Sequence, residues 1–500
     1  RRDMRLAGGA RDRRQREERE RGEELRGFEG ADPIVDAALA GRRSIGAHRP
    51  MIPARGPDGA AVTTPRPSVS VGRMSDEIDA IVTRAEESDD ALRDGLARIA
   101  SMPIRTREDA ALVCRLVASF VDRPPLHEGP DDAVRSPLHD VIAVFQQPTG
   151  RDAANVMREW GLPALRRLYD EQLARWRARG PVSPWDRLAN DLLFALKVFA
   201  SYGGAEQYQR IEAAARLPIE PEGFLWSMVT QALSDDEAAR LLEALRDPIP
   251  PGFLAIALLD KANDLARAGR MDDHPFDTDE GHVRLAALVG DADNESWAHS
   301  ATAAIPFLHG PIRDRLLDAA RQHPSVNVRL EAAWASIVLG DERGVDLLAD
   351  WARDPRTSRR AVAYLSELGR NEAIPIEARE PDHTAMAELC EWLAHPNEFG
   401  HPPDEVRVVD RRRIHWPPTR DERDLWLVRY AYVRGPEGEE RDEGVGMVGS
   451  TTFALLDEDT AELPAEDVYA LHCCWELMMN HDERAPKERS VEAGRRLLGF

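Results

Sequence analysis

The chain has 500 residues, 42% hydrophobic and 31% charged, which is the balance of a folded globular protein and excludes disorder throughout. Its formal net charge of −23 repels phosphate backbones at long range and argues against a nucleic-acid partner. No apolar run approaches the roughly 18 residues of a membrane span. No signal-peptide core is present, and Cys114, Cys390, Cys473 and Cys474 make no disulfide framework, so a cytoplasmic protein without membrane attachment is expected.

Residues 1–73 hold 16 arginines against 11 acids and carry no helical or strand period. They read as a disordered tail, or as an extension upstream of a true start at Met74. Only three lysines occur, Lys197, Lys261 and Lys487; a coding bias toward arginine explains this and lowers the weight of any one arginine cluster. From Met74 the pattern is helical almost without break. Ser75 and Ser88 are candidate N-caps for two short helices, each followed by acids suited to the positive end of a helix dipole. Thr106 opens a third helix, with Leu112, Val113, Leu116 and Val117 on its apolar face. Further helical windows fall at 133–147, 160–178, 184–202, 205–216, 222–232, 234–246 and 252–268, divided by Gly- and Pro-rich turns.

From Leu285 a period of 31 residues sets in, with Leu316 and Leu347 at the equivalent position and Pro324 and Pro355 repeating alongside. Each unit is a short apolar helix, a Pro-marked turn and a second helix closed by Gly340 or Gly369. Trp297 to Leu308 is the expected second helix of the first unit. In the next unit Val328, Ala332, Ala335 and Leu339 lie along one stripe, and Leu330, Trp334 and Ile337 along another. That helix is therefore expected to be buried on two sides, as the inner member of a stacked pair is. A last helix is expected near Asp382–His395, then a Pro-rich linker over 396–404. Residues 405–416, 425–433 and 445–456 read as strands, the middle one apolar or aromatic on both faces as a central strand is. Arg434–Glu443 reads as a polar hairpin loop, and Pro464 starts a helix with Val468, Leu471, Trp475 and Met478 on one face. The expected fold is mainly α: an α-solenoid over 74–395, clearest at 280–373, followed by a small α+β domain over 405–500 with an antiparallel sheet and a covering helix.

Val328-Arg329-x-x-Ala332-Ala333, closing at Leu339-Gly340, resembles the second helix of a HEAT-like repeat, and Asp354-Pro355 with Arg360-Ala361 resembles the next. The resemblance covers about three units, 280–373. It departs from the pattern at His323, where a turn acid is usual, and at Trp297-Ala298, where Val-Arg is usual. It implies helix pairs stacked in series and a curved face that grips other proteins; a minority of such proteins act on bilin chromophores or damaged DNA bases. Residues 405–500 carry no such resemblance.

Several constellations bear on chemistry. Gly444-Val-Gly446-Met-Val-Gly449 satisfies G-x-G-x-x-G, but an acidic loop precedes it and strand-like residues follow, so a Gly-rich start of a strand or a bulge is the better reading. Cys390, His395 and His401 are loosely spaced and lack a fourth ligand for zinc. His472-Cys473-Cys474 lies mid-helix, where successive residues point about 100° apart, so the three cannot converge on one ion. His472 and Glu476, at i and i+4, share a face and form a candidate ligand or acid–base pair, with core packing as the plainer reading. The acidic turn Asp272–His282 and the run Asp291–Glu295 lack the glycine and glutamate of a calcium loop, and capping explains both. Arg411, Arg412 and Arg413 with Trp416 make a basic run on a strand, where members alternate faces and at most two act together. The plainer reading is a charged edge strand; the functional one is a contact for an acidic partner.

The expected function is a non-catalytic protein–protein scaffold with an unidentified protein partner, no cofactor, no metal and no obligate small molecule. Two alternatives stand beside it. One is an enzyme of the HEAT-like minority, which needs Trp334, Trp351 and Tyr364 to converge with acids on one face. The other is ligand sensing by the C-terminal module through His472 or the Tyr430/Tyr432 face.

Overall fold

In the computed structural model, which describes residues 71–127, 137–180, 186–219, 224–395, 398–434, 440–456 and 459–500, the chain is mainly helical with a small antiparallel sheet near its C-terminus. It divides into two compact units, Arg1–Pro275 and Phe276–Phe500. The division falls inside the expected 74–395 domain. No helix among the described residues is long and apolar enough to cross a membrane.

The first unit runs through α1 (Val71–Ala85), α2 (Asp89–Ile99), α3 (Arg107–Val121), α4 (Pro137–Val144), α5 (Arg151–Val156), α6 (Leu162–Arg179), α7 (Arg187–Tyr202), α8 (Ala205–Ala215), α9 (Phe224–Ala232), α10 (Asp235–Ala244) and α11 (Gly252–Arg267). Local chemistry sets several of these boundaries. Ser88 accepts a hydrogen bond from the Ala91 N–H, and Thr106 with Asp109 forms a reciprocal capping box at the start of α3. Ser75 is no cap, because α1 begins at Val71 and carries Ser75 within it. The expected boundary at Met74 thus falls inside a helix; the rest of the expected tail, 1–70, lies outside the described residues. The α5 helix and the start of the π-turn Met157–Gly161 that joins it to α6 fall between the expected windows. At Gly161 a Cβ would stand 3.0 Å from Phe145 and 3.1 Å from the Cys114 sulfur, so the missing side chain lets that turn pass close without displacing either. One continuous core joins these helices, with Phe120, Tyr169, Phe199 and Trp226 among its largest side chains.

The second unit opens with α12 (Asp279–Val289), α13 (Glu295–Ala304), α14 (Pro311–Arg321), α15 (Val326–Val338), α16 (Arg343–Ala352) and α17 (Pro355–Glu367). The first helices of successive pairs touch, α12 on α14. So do the second helices, α13 on α15 and α15 on α17. The repeated prolines and glycines do local work. Asp354 caps α17 ahead of Pro355 at its first position. Gly340 and Gly369 take φ of 88° and 70°, and the residue after each donates back into the preceding helix, Asp341 N–H to Ser336 O and Arg370 N–H to Leu365 O. Both are left-handed glycine stops that satisfy orphan carbonyls. The α13 helix ends at Ala304, with a 3₁₀ turn Ile305–Phe307 taking up the remainder of the expected window. The α15 helix is more enclosed than its two stripes require, because every residue from Leu330 to Ile337 is buried, Glu331 and Ser336 included.

The next helix, α18 (Pro381–Leu393), packs on both α17 and the sheet. Strands β1 (Glu405–Trp416), β2 (Asp421–Arg434), β3 (Glu440–Val448) and β4 (Phe453–Ala454) follow in the order β1-β2-β3-β4, all antiparallel. The β1–β2 register shifts between Val408 and Asp410, a bulge. The central strand β2 alternates as its sequence indicates: Val428, Tyr430 and Tyr432 meet α18, while Leu425 and Leu427 meet α19 (Ala465–Met479) on the other face. A final helix, α20 (Val491–Leu498), packs on α19.

Four expectations change here. The sheet is covered on two faces rather than one, and its second cover is the helix assigned to the solenoid. The stretch between α18 and β1 is no free linker: the Phe399 ring stacks on Tyr432 with centroids 4.2 Å apart, and the Tyr432 hydroxyl donates to His401 O. The expected strand 445–456 breaks into β3 and β4 around Gly449, whose φ is 110°, and Glu440–Glu443 of the expected loop is strand paired with β2, while 435–439 lies outside the described residues. Finally, α19 turns Val468, Tyr469, Cys473 and Leu477 to the sheet and leaves Met478 exposed.

Candidate functional site

Strand β1 places the three arginines differently. Arg412 faces α19, where it donates to Asp410 and Glu466, each at 2.7 Å, and lies over the Tyr469 ring. Its charge is fully engaged. Arg411 and Arg413 point the other way and are exposed, as strand alternation requires. Arg411 lies 4.9 Å over the Trp426 ring and 3.5 Å from Asp382 at the start of α18, whereas Arg413 has no ion pair or side-chain hydrogen bond among the described residues. Trp416, expected beside them as a contact aromatic, is fully buried in the core between sheet and α19. It marks the end of the strand, not its outer surface.

The Trp416 indole N–H donates at 2.9 Å to Glu476, whose other carboxylate oxygen accepts from the Ser450 hydroxyl at 2.7 Å. Glu476 thereby ties the end of β1 and the β3–β4 turn to α19. It does not pair with His472. His472 is fully buried, neither of its ring nitrogens has a hydrogen-bond partner among the described residues, and its nearest ring, Phe453, meets it edge-on at 6.2 Å. Burial, aided by the Arg489 charge, pulls its pKa down to about 3, so the ring is neutral. The expected acid–base pair is two separate structural groups.

The glycine motif has a packing origin. Gly444 and Gly446 stand opposite Tyr430 and Val428, and a Cβ at Gly444 would run into the Tyr430 hydroxyl, one at Gly446 into Leu389 of α18. A helix and a tyrosine lie where a phosphate would have to sit. Burial pushes the Cys390 thiol up to about 12. His401 packs edge-on against Tyr432. Among the described residues no group of three His, Cys, Asp or Glu is placed to hold a metal ion. In the acidic turn, Asp277 accepts from His282 and His309, each at 2.7 Å. Burial raises its pKa, yet these hydrogen bonds outweigh that and leave it below the ordinary carboxylate range.

A cluster that sequence reasoning named only in part, through Trp334 and Tyr364, lies across the second helices. His299 on α13, Glu331 on α15 and Tyr364 on α17 lie 32 and 33 residues apart on three successive second helices. The Glu331 carboxylate is completely buried; it accepts from the Tyr364 hydroxyl and lies 3.1 Å from His299 Nε2. Trp334 adds its ring 6.3 Å from that of Tyr364. The signal available was a polar residue on each of three second helices otherwise lined with Ala, Leu and Val. Trp351, expected to join this group, lies on α16 and is half-buried. No protein family model and no curated protein matches the chain, so its function has to be read from these residues.

Proposed function

We propose that the chain is a non-catalytic scaffold whose HEAT-like helix pairs hold a rigid surface against a protein partner. The observation that carries this is the His299–Glu331–Tyr364 ladder. Three consecutive second helices are joined side by side through one buried carboxylate, and the groups best suited to chemistry are spent on one another. Such a row keeps its geometry when a partner binds, which limits the ordering cost of association. The direct packing of α13 on α15 and α15 on α17 supports the stacked arrangement.

Cross-linking with mass spectrometry on the co-purified complex tests it. Lysine reagents have only Lys197, Lys261 and Lys487 to act on, so a carboxylate-directed linker is the suitable choice given 89 acids. Cross-links from a partner to α12–α17 are expected. Turnover of a substrate by the purified chain alone would overturn the reading.

One observation favours a second reading, an enzyme of the bilin- or alkylated-base-processing kind: Trp334, Tyr364 and Glu331 do converge. All three are buried, which leaves His299 as the most open member. Ligand sensing by the C-terminal module has less support, because Tyr430, Tyr432 and His472 all lie inside the packed core.

A further inference from the structure

We propose that the outer edge of β1 docks an acidic extended peptide, which joins the sheet beside residues 410–416 and sets acids at alternate positions against Arg411 and Arg413. The inference names a partner class for the scaffold reading and rests on it.

Strand β1 ends the sheet, with β2 as its one neighbour. Among the described residues no hydrogen bond outside the β1–β2 ladder reaches a backbone group between Glu405 and His415. Such a row of free N–H and C=O groups is a template for an added strand. The bulge between Val408 and Asp410 interrupts the edge, but beyond it Asp410–Trp416 stays in unbroken register with Asp421–Leu427. A run of this length matches a strand of ordinary size, about 5–6 residues.

Charge then selects the occupant. Arg411 and Arg413 are exposed on one face of this run, Arg411 with one long ion pair to Asp382 and Arg413 with none among the described residues, while Arg412 on the other face is held by both Asp410 and Glu466. Side chains directly across a strand pair lie roughly 5 Å apart. An incoming strand with acids at positions j and j+2 therefore brings one carboxylate to each guanidinium. A second copy of the chain is the wrong occupant, because antiparallel self-pairing centred on Arg413, the middle of the run, opposes Arg413 to Arg413, and a register centred one residue earlier opposes Arg411 to Arg413. The arginines that guard the edge against self-association are the same groups that accept an acidic strand. With a net charge of −23, the body offers such a peptide no long-range attraction, so recognition depends on the ladder and the two charge pairs.

The test titrates the full chain into a fluorescein-labelled peptide, Thr-Glu-Val-Glu-Val-Thr, and follows anisotropy. The comparison peptides are one N-methylated on the residues facing the edge and one of the same composition with its two glutamates adjacent. Saturable binding is expected, weakened at least about tenfold by N-methylation, by separating the acids from the j, j+2 spacing, and by the double variant Arg411→Glu/Arg413→Glu. Circular dichroism controls the fold of that variant, and Arg411→Lys/Arg413→Lys is expected to retain binding. No saturable binding overturns the proposal. So does binding indifferent to N-methylation, which means charge attraction without strand addition. Dimers of the chain that the peptide fails to dissociate, seen by light scattering, also overturn it by assigning the edge to a second copy. If the peptide fails while a partner still cross-links to α12–α17, this proposal falls and the scaffold reading stands.

Discussion

Glu331 is the residue on which the repeat helices turn. A carboxylate with no exposure is tolerated only where donors replace its water; here the Tyr364 hydroxyl donates from one adjacent second helix, and the His299 ring lies 3.1 Å away on the other. Tyr364→Phe removes one donor while keeping the ring, and is expected to lower stability by about 1.5–3 kcal/mol, the usual cost of losing a hydrogen bond to a charged group. Urea unfolding of the single variants and of the double variant with Glu331→Gln gives the check. The two effects should fail to add by more than about 0.5 kcal/mol if the residues act through one bond. Glu398 carries a different prediction. Burial raises its carboxyl from 4.5 to about 7, so folding favours the protonated form. Its stabilising contribution is full below the unfolded value, shrinks as pH rises between the two values, and is gone above the folded one. Melting temperatures measured from pH 4 to 8 should lose that part of their pH dependence in Glu398→Gln, and the variant should melt above the unaltered protein at pH 8. Asp277 works in the opposite sense. Its hydrogen bonds from His282 and His309 favour the ionised form, and that contribution fades only as pH falls through its depressed value.

At the scale of elements, close approach decides what a sequence pattern leaves open. Gly344 in α16 sits against α15, where a Cβ would stand 2.5 Å from the Ala333 carbonyl oxygen and 2.7 Å from Ile337. Alanine is the better helix former by roughly 0.5–1 kcal/mol. The collision with fixed backbone is nonetheless expected to win, and Gly344→Ala should lose about 1–3 kcal/mol of stability as the two helices are forced apart. A variant as stable as the parent in thermal unfolding would show that α15 and α16 have slack the packing does not suggest. Most helices were legible because their signals are local. Caps at Ser88 and Thr106, glycine stops at 340 and 369, and apolar periodicity place α6 to α11 within a few residues. What escaped is relational. The α18 helix is apolar on two sides, which reads equally well as one more inner helix; that one of those sides covers a sheet depends on a chain segment folded later in sequence. The Glu331 ladder escaped for the same reason: Tyr364 stands out by its ring, but His299 and Glu331 each look like a surface polar residue, and only side-by-side packing makes the three a group. Trp416 misled because an aromatic after three arginines resembles a contact surface, while the strand's alternation sends it to the core.

At the scale of the molecule, the boundary between modules follows buried faces rather than a change in secondary-structure class. Sequence reasoning places it in the Pro-rich stretch after His395, where helices give way to strands. Cutting there would strip α18 from the sheet and expose Val428, Tyr430, Tyr432 and Val448, which are all buried against it. Each apolar square ångström returned to water costs about 25 cal/mol, so losing four such side chains at once removes several kcal/mol, a large part of what holds a small domain together. A fragment of residues 276–500 keeps both covers of the sheet and the paired helices that pack on α18. It is expected to unfold in one cooperative transition with native-like circular dichroism. A fragment of residues 396–500 is expected to bind a hydrophobic dye and to lack a sharp melting transition. If the shorter fragment melts cooperatively on its own, α18 is an accessory to the sheet and the α+β module ends where the secondary structure changes. If only the longer one does, the helix pairs and the sheet fold as one body, and a partner gripping α12–α17 is held by the same unit that presents the β1 edge.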